Sequence, residues 1–550
     1  MAKILARWRA LLLPRVGAKE HEAGERSSGR RSPLTLGWIV SGACLLIYLA
    51  SGQSQQGNDA TATVHQALRL IEQGTLFFTP EDNPRMFVFA VDTPFGTRLA
   101  RIRDWQLSDG RVSARQAYAA GKIRVQRPMY YLVPTRHAGH YANTFGVGAG
   151  LAALPLVAPV RLFVPDLGSR PELLWWVGKI AAALTTAATV LLLYLASLRW
   201  VSPRSAALLS LAYGLGTCAF SVSSQAPWQH GPCEMFTALG AYFLLANEGK
   251  RSHALSGLGF ALAVLCRPTA VLVAACVAIH LALTDRRRLL WFALGALPAA
   301  VALVAYSEYA FGSFISFGQL LAGVEVAKTK TGQSDLWQTP LWLGTAGLLL
   351  SPSRGLFVYT PLAIFSLWGI GRAFRDAAWK DLRPLAFGAL LLLVVAAKRF
   401  DWWGGWCFGY RPIVDAMILL ALLSLPVIER VAASRKLQAA CLLLFGYSFA
   451  VQVIGAFVYD VSGWNGRIVW EVVDPSTAER LSFDDRQTAA RTAQRLGGSI
   501  RRSELNVDAP EHRHRLWSWT DSPLVYYVTR VSAARERRKR TTEKFIREQG

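Results

Sequence analysis

The length of its apolar blocks restricts this chain more than any other feature. Leu173–Ser197, Leu437–Tyr459 and LTLGWIVSGACLLIYLA at 34–50 each run long enough to cross a bilayer and carry few charges. Inside hydrocarbon every backbone N–H and C=O must be satisfied within the segment, so such blocks cross as helices. They are continuous rather than periodic, which separates them from one-sided surface helices. With 52% hydrophobic residues and 19 tryptophans, the chain reads as an all-α polytopic membrane protein.

The net charge of +24 would suit nucleic acid, but its placement argues against that partner. Residues 1–33 hold eight Lys/Arg against three Glu, the cytoplasmic flank expected before a retained signal anchor. Further basic loops lie at 198–204, 249–253, 285–288, 371–383 and 429–436. Keeping all of them in the cytoplasm gives eleven spans: 34–50, 173–197, 204–222, 229–247, 253–266, 269–284, 289–311, 357–371, 384–397, 412–428 and 437–459. The apolar segments 146–163 and 341–350 are then re-entrant or interfacial. Residues 51–172 form a large mixed α/β extracytoplasmic loop, 173–459 the transmembrane core, and 460–550 a small extracytoplasmic region. Its basic tail, 528–550, reads as a solvated or disordered end touching anionic lipid. This path implies the inner membrane with a cytoplasmic N-terminus.

Within the first loop, Val64, Ala67, Leu68 and Ile71 share one helical face, while His65, Arg69 and Glu72 lie elsewhere. That pattern predicts an interfacial helix over 61–73, stopped by Gly74. MFVFAVD and MYYLVP are candidate strands. The seven cysteines are scattered, mostly within spans, without a CxxC pair; they read as packing residues rather than disulfides or a metal knot.

The unusual polar and aromatic residues map to the outer side of this path. Asp59, nine residues past the first span, is either a base at the membrane surface or a cap on the helix that follows. Arg354 in SPSRG and Arg411 in GYRP offer fork-shaped donors suited to phosphate, or else snorkel to the headgroups. Arg267 lies between two short apolar halves without an acid at i±4. Asp415 stands one turn after Arg411 and competes as a simple helix ion pair. Trp402, Trp403 and Trp406 form an aromatic belt or a wall facing sugar or lipid. Trp228, Gln229 and His230, with Gln225, add neutral donors and acceptors. No Walker A, GxGxxG, HExxH or GxSxG motif is present, and no nucleotide, cofactor or metal signature is found.

In order along 55–420 stand GNDATATVHQALRLIEQGTL, HYANTFGVGAGLAALP, PWQHGP, CRPTA, SPSRGLFVY and WWGGWCFGYRPIVD. This series resembles bacterial membrane proteins with RgtA/B/C/D-like domains, within the GT-C superfamily of polyprenyl-phosphate-sugar-dependent glycosyltransferases. The resemblance implies that Asp59 is the base activating an acceptor hydroxyl, with inversion at the anomeric carbon. It implies that Arg354, Arg411 and Arg267 hold the donor phosphate. Trp402, Trp403, Trp406, Trp228, Gln229, His230 and Tyr141 would then line the sugar or lipid groove. The implied partners are a polyprenyl-phosphate-linked sugar, a glycan, lipid or protein acceptor of the cell envelope, and membrane lipid. The sequence departs from the pattern at Asn143, Thr144 and Phe145, where Lys-Tyr-Pro is expected, at Pro227, and at Tyr410 and Pro412 around the arginine. A transporter or flippase, or a ligase or polymerase, of lipid-linked glycans is the competing expectation; a transporter should show internal repeats, and none is seen.

Overall fold

The structure, a computed structural model, describes residues 33–52, 58–93, 96–100, 118, 120–121, 123–246, 249–477, 480–483 and 485–549. The basic flank 1–32 and Gly57 of the GNDAT segment lie outside the described residues.

Helices dominate. Among the described residues four are long and apolar enough to cross a membrane: Pro33–Ala50, Pro171–Ser197, Arg286–Phe311 and Arg435–Phe457. A fifth candidate is the pair Arg411–Leu423 and Leu425–Ala433, bent by 57°. Apolar side chains on these helices face outward, with Leu442 64% and Leu443 75% exposed. Polar ones face in: Lys179, Thr186, Thr189 and Gln452 are all buried. Apolar-out and polar-in is the pattern of a helical membrane protein, in which intramembrane polar groups turn toward the bundle.

The remaining expected spans are helical but shorter or broken. The 204–222 block is a helix Pro203–Gly216 and a π-turn Ala219–Ser223, parted at Thr217. The 357–371 block divides into Leu356–Tyr359 and Ile364–Arg375, because Pro361 lacks the N–H a continuous helix needs. Val147–Phe163 and Leu341–Leu350, the two apolar segments left out of the path, are also helices.

The two ends of the bundle differ. At one end the basic loops meet: Arg199 Nη1 donates to Ala246 O (2.8 Å), Ser202 N to Glu429 Oε1 (2.6 Å), and Arg288 pairs with Asp381 (3.4 Å). Trp200 packs on Trp379 there, with ring centroids 4.8 Å apart. At the other end sit two strand-containing units. The first has an antiparallel sheet with Phe87–Thr93 between Gly96–Ala100 and Ile123–Pro128, and a small ladder of Leu132–Pro134 with Tyr141–Asn143. The second has Gly466–Val473 between Arg480–Phe483 and Ser499–Asn506, with the helix Arg486–Leu496 burying Ala489 and Ala493 against Val472.

Two sequence expectations are corrected here. The helix Thr61–Gln73 does not leave Arg69 on an outer face: Arg69 is buried, donating to Phe77 O (3.0 Å) and pairing with Asp82 (3.1 Å). The chain that follows folds back over the polar face and supplies it with acceptors. Nor is the basic tail a disordered end, although most of its side chains are exposed. It forms the helix Val531–Gln549, and the buried Arg538 donates to Ala456 O and to Ser51 O (3.0 Å). These carbonyls close the Arg435–Phe457 helix and follow the Pro33–Ala50 helix, so a guanidinium there satisfies otherwise orphaned acceptors.

Candidate functional site

Backbone clearance brings the outer segments together. A Cβ at Gly146 would lie 2.1 Å from Cys266 O, and one at Gly148 2.6 Å from Cys266 N. A Cβ at Gly178 would press on Val64 and Pro227. These glycines let the Val147–Phe163 and Pro171–Ser197 helices seat the 58–63, 223–230 and 266–270 segments against one another.

Two linked ion pairs occupy the meeting point. Asp59 Oδ2 lies 2.8 Å from Arg411 Nη1, and Asp59 Oδ1 accepts from the Tyr130 hydroxyl. Arg411 also donates to Gly404 O (2.7 Å) and lies over the Trp228 ring, 4.7 Å from its centroid. One turn along, Asp415 pairs with Arg267 (2.6 Å) and accepts from His230 Nδ1 (2.9 Å). His230 Nε2 faces the same guanidinium at 3.3 Å. Asp59, Arg411, Arg267, Trp228 and His230, all named from the sequence, therefore belong to one cluster.

Two bland readings are set aside. Asp59 does not cap the helix: it lies in the 3-10 turn Asn58–Ala60, and Ala60 holds the cap position without a side-chain bond. Asp415 does not pair with Arg411, because Arg411–Ala416 is a 3-10 turn with Ile413 at φ −116°, which breaks the i,i+4 geometry.

The cluster also holds spare hydrogen-bonding capacity. Trp228 Nε1, Gln229 Oε1, Arg267 Nε, Thr61 Oγ1 and Thr269 Oγ1 are shut from solvent without a protein partner. Buried polar atoms are nearly always satisfied in native proteins, so donors and acceptors gathered in these few segments point to a polar ligand. Arg411 and Arg267 supply positive charge, Asp59 a carboxylate 17% exposed, and Trp228 an aromatic face. Among the described residues no three His, Cys, Asp or Glu side chains gather as a metal site.

Other expected site residues go elsewhere. Arg354 is wholly buried, and its donors are taken by Trp403 O (2.9 Å), Ser353 O (2.9 Å), Gly405 O (3.1 Å) and Asn465 Oδ1 (2.9 Å). It cannot face a phosphate. Instead SPSRG docks the C-terminal unit: Ser351 and Ser353 hydroxyls both donate to Leu516 O (2.6 and 3.0 Å). Trp402 and Trp403 are buried beneath that unit, and Trp403 Nε1 donates to Asp508 Oδ1 (2.9 Å). Trp406 Nε1 donates to Asn506 Oδ1 (3.0 Å). None of the three touches the Asp59 cluster directly, although Gly404 between them holds Arg411. Tyr141 belongs to the core of the first unit, edge-on to Phe87 at 4.8 Å.

Sequence reasoning missed Tyr130, which MYYLVP offered only as strand, and Lys179. The Lys179 ammonium, buried inside the bundle, donates to Ser51 Oγ (3.1 Å), Ser224 O (3.1 Å) and Gln225 Oε1 (2.9 Å). Its position within an apolar block was the available signal. The departures noted in the sequence serve packing. Asn143 Oδ1 accepts from Phe145 N (3.0 Å), Pro227 fills the space left by Gly178, and the Tyr410 hydroxyl bonds Thr360 Oγ1 (2.6 Å) and Cys218 N (3.1 Å). No family model matches this chain, and no curated protein matches it either.

Proposed function

We propose that the chain is an integral-membrane, inverting glycosyltransferase of GT-C type that moves a sugar from a polyprenyl-phosphate donor to a cell-envelope acceptor. The observation that carries this reading is the carboxylate of Asp59 paired with Arg411, beside a second cation and an aromatic ring, at the end of the bundle away from the basic loops. On this reading the bundle crosses the inner membrane eleven times with its N-terminus in the cytoplasm, so the cluster faces outward.

The pairing supplies a trigger. At rest Arg411 neutralises Asp59. A donor phosphate entering beside Arg411 and Arg267 competes for the same guanidinium and leaves Asp59 free to accept a proton. The acceptor hydroxyl oxygen then forms its bond to the anomeric carbon, its proton passing to Asp59, while the bond from that carbon to the phosphate oxygen breaks. The leaving polyprenyl phosphate keeps the electron pair and is stabilised by the two arginines, a role worth several kcal/mol in a dry pocket. Trp228, Gln229 and His230 line the donor sugar.

The test is Asp59→Asn in membranes given a radiolabelled polyprenyl-phosphate sugar and envelope acceptor. Transfer per folded protein should fall by at least about a hundredfold, the usual share of a general base, assayed below the lowered unfolding temperature of the variant. Undiminished transfer removes Asp59 as the base.

A further inference from the structure

Beside the 401–411 loop a cleft of about 280 Å³ opens between the C-terminal unit and the segment 331–343. Its walls carry Phe400, Trp402, Trp403 and Trp517, with Arg513, Gln338 and Thr339 among the polar lining. Trp402 and Trp517 stand with ring centroids 5.9 Å apart and planes at 51°, so two indoles meet as an open corner. Trp517 is 40% exposed while Trp403 is buried, which makes Trp517 the face an entering molecule meets first. Arg513 lies over the Trp403 ring at 4.8 Å, and its Nε is screened from water without a hydrogen-bond partner. Lys330 pairs with Asp508 (2.9 Å) and Arg399 with Asp401 nearby, so Arg513 is the charged residue of the lining.

A cleft with indole walls, one guanidinium and side-chain amide and hydroxyl groups suits a sugar. The C–H face of a pyranose stacks on an aromatic ring while its hydroxyls take the polar groups. The volume lies just below the range of drug-sized pockets, enough for one or two rings. We infer that this cleft is a carbohydrate-binding subsite, seating a hexose unit of an acceptor glycan on Trp517 with Arg513 donating to a hydroxyl. The acceptor role rests on the glycosyltransferase reading; sugar binding itself does not. The cleft and the reaction cluster share one loop: Trp403 forms a wall of the first, and Gly404 O accepts from Arg411 in the second.

Isothermal titration of the detergent-purified full chain with cellotriose, chitotriose and maltotriose tests the subsite. At least one should bind, and Trp517→Ala should weaken it by about tenfold or more, as loss of an aromatic anchor does. Trp517→Phe should retain most of the affinity, and Arg513→Gln should lose several-fold. Asp59→Asn should bind the sugar as the unaltered protein does, which separates failure of the subsite from failure of the proposed reaction. The inference is overturned if none of the three sugars binds. It is equally overturned if binding ignores Trp517→Ala, or if alkyl chains of increasing length displace the sugar-independent heat and so show an apolar occupant.

Discussion

At the residue scale the site is two ion pairs whose partners are far apart in sequence, Asp59 with Arg411 and Arg267 with Asp415. Each side chain of the first pair is less than a fifth exposed. Removing one partner strands a charge in a poorly solvated place, which typically costs about 3 kcal/mol or more. Asp59→Asn and Arg411→Gln should therefore each lower stability by about that amount. The double variant should cost clearly less than the sum, a coupling of about 1 kcal/mol or more by thermal unfolding in detergent. Strict additivity would remove the pair as an energetic unit. None of this pairing was legible in the sequence. The types were visible, but 352 positions separate Asp59 from Arg411, and no local rule spans that distance. Where a local rule did apply, it misled: the i,i+4 spacing of Arg411 and Asp415 implies a pair only on a continuous helix.

At the element scale the apolar blocks were legible because hydrocarbon enforces their length. Helix ends fell near the expected limits wherever a charge or proline marked them. Interhelical contact was not legible, since small residues announce close approach without naming the neighbour. The helices Gly249–Cys266 and Arg286–Phe311 show this. A Cβ on Gly257 would sit 1.9 Å from Phe292 O, and one on Gly295 1.8 Å from Ala254 O. Two glycines thus press each backbone against the other, as small residues do where membrane helices cross. Gly257→Val or Gly295→Val should force the pair apart and cost more than the 1–3 kcal/mol of an ordinary overpacked site. Surface positions such as Gly446, where nothing lies within 4 Å, should tolerate alanine. Equal unfolding temperatures for Gly295→Val and Gly446→Ala would contradict the crossing.

At the scale of the whole molecule, the basic loops occupy one end and the two strand-containing units the other. Arg538 fixes the tail beside the exits of both the first and last long helices. On the proposed eleven-span path, a tag after residue 550 and a tag inserted just before the helix Gly249–Cys266 should be accessible from opposite faces of the membrane. Accessibility of both from the same face would contradict this arrangement. The destination of the C-terminal region was hidden in the sequence, because its contacts are single polar groups rather than an apolar stripe. Arg354 shows the cost of that blindness: a buried arginine in a glycine-flanked turn resembles an anion ligand until Asn465, 111 positions later, takes its guanidinium.

Trp464 lies between two guanidiniums, with Arg354 5.4 Å from its ring centre and Arg515 4.5 Å. One arginine belongs to a turn in the middle of the chain and the other to its final forty residues. During synthesis the ribosome has released Arg354 long before it makes Arg515, Asp508 or Leu516. Until those residues are made, the SPSRG turn and the 401–411 loop lack their acceptors on Leu516, Asn506 and Asp508. The last residues to be made are thus the ones that close the packing around the SPSRG turn and the 401–411 loop.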